Sequence, residues 1–312
     1  MDFLYIVLGL VLLIIGGDWL LKAAVGLSLK LNIPKVVIGM TVVSFATSAP
    51  ELIVSVKSAL DGFPDLALGN VVGSNIANLA LVLGITVTLS KIDVEKSFYK
   101  IDWPVMMIAS GLLYLFLKND TVIDVVEGVV LFSFLVLFLI YLLKFQKQPS
   151  TEELSEADQT LSSYKVLGFL AIGGVALWAG SEVLIKGAVN LATAFGVSDR
   201  IIGVTVVSIG TSIPELSASI VAVLKKEKAI SLGNLIGSNI FNILAVLGIT
   251  AMITPIALKD ENLLNYDIFW MLGISLLVLP LAFWPKKLRL DWKAGCILLA
   301  LYLVFVFTTL KS

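Results

Sequence analysis

Gly39-Met-Thr-Val-Val-Ser-Phe-Ala-Thr-Ser-Ala-Pro-Glu51 occurs a second time, 164 residues further on, as Gly203-Val-Thr-Val-Val-Ser-Ile-Gly-Thr-Ser-Ile-Pro-Glu215. At the same spacing, Gly69-Asn-Val-Val-Gly-Ser-Asn-Ile-Ala-Asn78 recurs as Gly233-Asn-Leu-Ile-Gly-Ser-Asn-Ile-Phe-Asn242. Residues Gly16–Thr86 align without a gap to Gly180–Thr250, with 32 identities in 71 pairs. Shared hydrophobicity does not place Ser, Thr, Asn, Pro and Glu in register, so the chain carries a duplicated module. Each copy sets a glutamate inside an apolar stretch. An ionisable side chain at bilayer depth costs on the order of 3 kcal/mol or more, which makes a matched pair a functional-site signal.

The chain of 312 residues is 58% hydrophobic and 14% charged, with a mean hydropathy of +1.01. A soluble domain is nearer a quarter charged, so this is a polytopic, all-α membrane protein. Spans of about 20 apolar residues fall near 3–25, 36–60, 66–90, 102–117, 122–143, 166–188, 200–224, 229–254, 267–284 and 292–310. Phe3 to Ile15 is the length of a signal-peptide core. Asp2 precedes it in place of a basic cluster, and its continuation repeats near Gly180, so it is the first span.

Ten spans divide five and five. An odd number per half turns the second copy over in the membrane, giving two inverted five-helix repeats: residues 1–145 and 165–312, joined by a linker at 146–164. Loop charge agrees. With the N-terminus outside, sixteen of the 22 lysines and arginines fall on the inner side, where the plasma-membrane positive-inside rule places them. Asp61-Gly-Phe-Pro-Asp65 is acidic where its repeat counterpart, Lys225-Lys-Glu-Lys-Ala229, is basic. The linker is polar and acidic, and reads as a solvated cytoplasmic connection. An inverted repeat of this kind is a transporter architecture.

No histidine is present, which excludes histidine acid–base catalysis and zinc sites of the H-E-x-x-H type. The single cysteine, Cys296, excludes an intramolecular disulfide. The chain is therefore expected not to be an enzyme, to need no cofactor, and to have ions and the lipid bilayer as its partners. Nothing in it calls for nucleic acid or an oligomer.

In each Thr-Ser-x-Pro-Glu the proline removes a backbone donor and disturbs the helix before it, so carbonyls of Ser44 to Thr47 and of Ser208 to Thr211 are expected to be freed. Irregular backbone at this depth must line a cavity or be buried in protein. Hydroxyls of Thr47, Ser48, Thr211 and Ser212 and the carboxylates of Glu51 and Glu215 add further oxygens. The second motif contributes Ser74, Asn75 and Asn78, with Ser238, Asn239 and Asn242. Gly69, Gly73, Gly233 and Gly237 are expected to let helices approach closely. Such an all-oxygen set suits calcium, magnesium, manganese or sodium over soft metals, and calcium's flexible shell over magnesium's tight octahedron. Two negative charges neutralise one divalent ion or an equivalent set of monovalent ones, the basis for exchange.

These paired motifs closely resemble the alpha-repeats of the sodium/calcium exchanger superfamily, over Gly16–Thr86 and Gly180–Thr250. The resemblance implies a ten-helix antiporter exchanging sodium for calcium by alternating access, with the helices of the Thr-Ser-x-Pro-Glu segments broken there and helices 1 and 6 as a sliding gate. It assigns calcium to Glu51 and Glu215 with the carbonyls of Thr47 and Thr211. It assigns sodium to flanking positions: the Ser44 carbonyl, Thr47, Ser48, Glu51 and Ser74, and in mirror image the Ser208 carbonyl, Thr211, Ser212, Glu215 and Ser238. Asn78 and Asn242 complete the centre. Potassium-dependent relatives, and some other members, carry aspartate where this chain has Asn242, and proton-coupled ones carry further acids, so exchange is expected to be independent of potassium and of protons. With more than two sodium ions held per calcium it is expected to be electrogenic. A potassium-dependent or proton-coupled exchanger of the same fold is the alternative, and a cation channel a more distant one.

Asp18 and Glu182 each precede a lysine by four residues (Lys22, Lys186) and read as local ion pairs. Trp103, Trp270, Trp284 and Trp292 lie near span ends and read as interfacial anchors.

Overall fold

The computed structural model describes residues 2–145, 161–194 and 208–309, leaving aside the side chains of residues 192, 193 and 208. Its helices are α1 (Asp2–Leu31), α2 (Lys35–Thr47), α3 (Ala49–Leu60), α4 (Pro64–Leu89), α5 (Phe98–Asp120), α6 (Val125–Phe145), α7 (Ser163–Ala194), α8 (Ser208–Thr211), α9 (Ile213–Leu224), α10 (Lys228–Ile253), α11 (Leu263–Phe283) and α12 (Trp292–Thr309). Four two-residue strands are β1 (Ile92–Asp93), β2 (Val122–Ile123), β3 (Ile256–Ala257) and β4 (Arg289–Leu290). Among the described residues eight helices are long and apolar enough to cross a membrane, and α2 with α3 makes a ninth if they form one broken span. The seventh expected span, 200–224, is described only from Ser208, and most of the linker, with Lys147, Arg200 and Lys311, lies outside the described residues.

Two compact units are present, and each draws on both halves of the sequence: residues 1–47 with 138–235, and 48–137 with 236–312. In the first unit α1 packs antiparallel on α7 through glycines spaced by seven. A Cβ on Gly9 would stand 2.7 Å from the Leu184 nitrogen and 2.8 Å from the Gly180 carbonyl; one on Gly16 would stand 2.8 Å from the Leu177 nitrogen and 2.9 Å from the Gly173 carbonyl. Gly173 and Gly180 meet the carbonyls of Gly16 and Gly9 in return. Only a missing side chain permits this approach, the usual basis of tight helix pairing in lipid. In the same unit Gly233 abuts the Val36 carbonyl and a Cβ on Gly39 would lie 2.5 Å from the Ile230 carbonyl, so α2 and the start of α10 are also in backbone contact.

In the second unit several contacts occur twice with the sequence halves exchanged. Gly84 of α4 meets Gly295 of α12, and Gly248 of α10 meets Gly128 of α6. β1 pairs with β4 and β2 with β3, both antiparallel. Reciprocal pairing of equivalent elements is what a two-fold relation between like modules generates. α4 and α10 are the shielded helices, 78% and 83% buried over their apolar windows, whereas the other candidate spans lie between 22% and 39%. Both helices carry the second polar motif, which needs that shielding.

Three expectations are corrected in whole or in part. Gly69 and Gly73 do not mediate close packing: a Cβ on Gly69 would meet only a Leu263 methyl at 3.8 Å, and one on Gly73 nothing within 4 Å. Asp18 pairs with Lys22 at 2.7 Å, and also with Lys225 at 2.9 Å. Its counterpart differs: among the described residues no ion pair joins Glu182 to Lys186, whose ammonium sits over the Tyr5 ring instead, 5.6 Å from its centroid. Trp103 is not a free anchor either, because its indole N–H donates to the Ser275 carbonyl at 2.8 Å and ties α5 to α11. Trp284 and Trp292 are exposed at span ends, as an interfacial role requires.

Candidate cation site

The break in each first motif is one residue wide. Ser48 has φ −86° and ψ 5°, and Ser212 φ −89° and ψ 3°, while helix continues on either side. Pro50 and Pro214 fall in the first turn of α3 and α9, where the missing N–H is an orphan in any case. Ser44–Thr47 and Ser208–Thr211 thus keep a helical turn, a smaller disturbance than four freed carbonyls. Glu51 and Glu215 occupy the first turns of α3 and α9, where the positive end of the helix dipole favours a carboxylate. Both are fully buried.

In the first unit, Thr47 is buried and its hydroxyl lies 3.2 Å from Asn234 Oδ1 and 3.4 Å from the Ser44 carbonyl, donating toward them. The Ser44 hydroxyl, also buried, reaches the Gly39 and Asn234 carbonyls at 2.9 Å. Asn234 Nδ2 in turn donates to Ser219 Oγ at 3.4 Å. Ser212 Oγ is buried with no hydrogen-bond partner. Thr211 is half-buried. Ser208 opens α8, and its side chain lies outside the described residues.

The second unit holds Ser48, Glu51, Ser74, Asn78, Ser238 and Asn242, each at most 3% exposed. Its organising feature is a reciprocal asparagine network. Asn78 Nδ2 donates to Asn239 Oδ1 at 3.4 Å, and Asn242 Nδ2 donates to Asn75 Oδ1 at 3.0 Å. Asn75 also donates to the Asn239 carbonyl at 3.2 Å and toward Met271 Sδ at 3.8 Å; Asn239 reaches Met106 Sδ at 3.9 Å. With their N–H groups so engaged, Asn78 Oδ1 and Asn242 Oδ1 are left without a hydrogen-bond donor. Burying an amide oxygen unpaired costs roughly 1–3 kcal/mol, so two equivalent cases mark oxygens held ready for another partner. α3, which carries Glu51, packs against the Asn242–Leu247 turn, where α10 widens to π-helical geometry, as α4 does over Ala77–Val82. Such turns concentrate at functional sites.

Among the described residues no three carboxylate or thiol groups gather as a metal cluster. Each unit instead carries one of the two buried motif glutamates together with buried neutral oxygens, the chemistry of hard cations held weakly enough to leave. Asn70 and Asn234 were not expected in the site, and Asn75 and Asn239, counted among the second motif's oxygens, take orienting roles instead. Asn70 Nδ2 donates to the Glu51 carbonyl at 3.3 Å and to Ser55 Oγ at 3.0 Å. Their signal was present, since Asn70/Asn234 and Ser55/Ser219 are identities of the repeat. Met106 and Met271 are 165 residues apart and fall outside the gapless register.

The profile of the sodium/calcium exchanger protein family matches residues 1–144 and 165–311. The chain belongs to that family. CaxA of Alkalimonas amylolytica is 37% identical, over 99% of this chain and 98% of the relative. The sodium/calcium exchanger MaX1 of Methanosarcina acetivorans is 29% identical, over 98% and 97%. A solved structure of the sodium-calcium exchanger NCX_Mj matches with a TM-score of 0.82 and 29% identity, covering 97% of this chain and 96% of that one. The buried glutamates and donor-free amide oxygens therefore belong to a membrane antiporter of this family.

Proposed function

We propose that this chain is a secondary antiporter of the plasma membrane that exchanges sodium for calcium by alternating access, electrogenically and without potassium. The observation that carries the ion assignment is the asparagine network: Asn78 and Asn242 each spend their N–H on a neighbouring asparagine and keep a buried oxygen for a cation. Glu51 and Glu215 are calcium ligands, with the carbonyls of Thr47 and Thr211. Thr47, Ser48, Ser74 and the Ser44 carbonyl serve sodium, as do Thr211, Ser212, Ser238 and the Ser208 carbonyl. A neutral amide at Asn242 adds no charge to hold an additional monovalent ion, which supports potassium independence.

The proposed architecture is ten spans in two inverted five-helix repeats, with the N-terminus outside and the central linker in the cytoplasm. The reciprocal contacts of the second unit and the sixteen-to-six charge bias support it. α1 and α7 form the moving gate. Their contact brings backbone against backbone at matched glycines.

Uptake of radioactive calcium into proteoliposomes tests this directly. An outward sodium gradient is expected to drive uptake, and potassium or proton gradients alone are not. Uptake that requires potassium on the same side as calcium would overturn the coupling proposed here, and sodium-independent uptake would overturn the exchange.

A further inference from the structure

Where α4 ends and α12 begins, a cavity of about 320 Å³ is lined by Thr88, Lys91, Lys286, Arg289, Asp291 and Trp292. That volume lies within the range that small-molecule sites occupy. Its three cations face two acids. Asp93 holds the Arg289 guanidinium at 2.7 Å. Asp291 caps α12, its side chain accepting from the Lys293 N–H at 3.0 Å. Lys293 adds a further positive charge over the Trp284 and Trp292 rings.

The duplication supplies an internal control. Aligned on the strands, β1 matches β3 and β2 matches β4. Asp291 then corresponds to Asp124, which caps α6 by accepting from the Glu127 N–H at 2.8 Å. The acid is thus a helix cap common to both halves. The cations are not: Lys91, Lys286 and Arg289 correspond to Pro255, Asn119 and Val122, and Trp292 to Val125. The same local fold forms without them, so the fold does not require these charges. Orientation in the membrane requires cations near span ends, but not their convergence on one cavity beside two exposed tryptophans. Tryptophans sit at headgroup depth, and basic pockets between membrane helices suit anionic headgroups.

We propose that this cavity binds the phosphate of an anionic phospholipid headgroup. In the orientation proposed above it opens to the inner leaflet. The proposal rests on that membrane placement and not on which ions are carried. Native mass spectrometry of the full-length protein in micelles doped with phosphatidylglycerol or phosphatidylcholine tests it. The wild type is expected to retain one phosphatidylglycerol in preference to phosphatidylcholine, and excess inorganic phosphate to leave it bound. Lys286→Asn installs the residue that the other half already carries. Combined with Lys91→Gln it should weaken that retention by about tenfold or more, as expected from two near-surface cations. Lys144→Gln, which removes an exposed cation at the end of α6, should leave retention unchanged. Equal retention of the two lipids, unchanged retention in the Lys91/Lys286 double variant, an equal loss in Lys144→Gln, or displacement by free phosphate would each overturn the proposal.

Discussion

Asn242 is fully buried and donates a hydrogen bond to Asn75 Oδ1, at 3.0 Å, while its own oxygen meets no donor. Replacing it with alanine removes that bond and leaves Asn75 Oδ1 buried without its donor, a loss of about 1–3 kcal/mol. The equivalent oxygen of Asn78 remains, so calcium binding should survive. Sodium binding should weaken by about tenfold, the equivalent of about 1.4 kcal/mol for one lost ligand. Asn242→Asp acts differently. A protonated aspartate keeps the bond to Asn75, whereas an ionised one sets two acceptors 3.0 Å apart but gains a charge that can hold a monovalent cation. Exchange by Asn242→Asp should therefore become sensitive to pH, rising as the carboxyl ionises, or to potassium. Wild-type exchange should be sensitive to neither. Initial rates of radioactive calcium uptake, measured against sodium concentration at several pH values with and without potassium, distinguish these outcomes. A wild-type sodium dependence in Asn242→Ala, together with pH- and potassium-insensitive exchange in Asn242→Asp, would show that the Asn242 oxygen faces no cation.

Glu51→Gln and Glu215→Gln should each abolish sodium-driven calcium uptake while the protein still folds, since a buried charge has been removed; near-wild-type flux in either variant would exclude that residue as a ligand. Gly16→Ala should destabilise the protein by about 1–3 kcal/mol, because its Cβ would sit 2.8 Å from backbone that cannot rotate away. Gly73→Ala, with nothing within 4 Å, should be neutral or stabilising, and thermal unfolding of the two in detergent compares them. Exchange of more than two sodium ions per calcium moves net charge, worth about 2.3 kcal/mol per elementary charge per 100 mV, so uptake should respond to a valinomycin-set potential. Indifference to that potential would indicate electroneutral exchange.

Much of the candidate site is local chemistry and is legible in the sequence. Thr-Ser-x-Pro-Glu carries its own helix interruption, its hydroxyls and its acid within five residues. The 164-residue repeat shows that both copies matter. Burial of Glu51 and Glu215 follows from apolar sequence on either side, and the structure leaves both fully shielded. The extent of the interruption was not legible. Proline disturbs the preceding turn, but whether one residue or four leave the helix depends on what else holds that turn. Here the hydroxyls of Ser44 and Thr47 hold it, by bonding to α2 itself and to Asn234 of α10.

The duplicated module, its apolar spans and its two buried acids are properties of the sequence by itself, because each depends on composition and on spacings within one stretch of chain. Tertiary structure alone decided which glycines are contact points. Gly69 and Gly73 form a familiar packing motif yet meet no backbone, whereas Gly9 and Gly16 stand against Gly180 and Gly173. A glycine's worth depends on the backbone opposite, which no local pattern names. The same holds for Asn75 and Asn239. In sequence they match Asn78 and Asn242 in kind, but in space they accept the amide protons and so turn the other pair's oxygens away from hydrogen bonding. Which asparagine donates and which accepts is a matter of angle between helices far apart in the chain, and only the packed structure sets that angle.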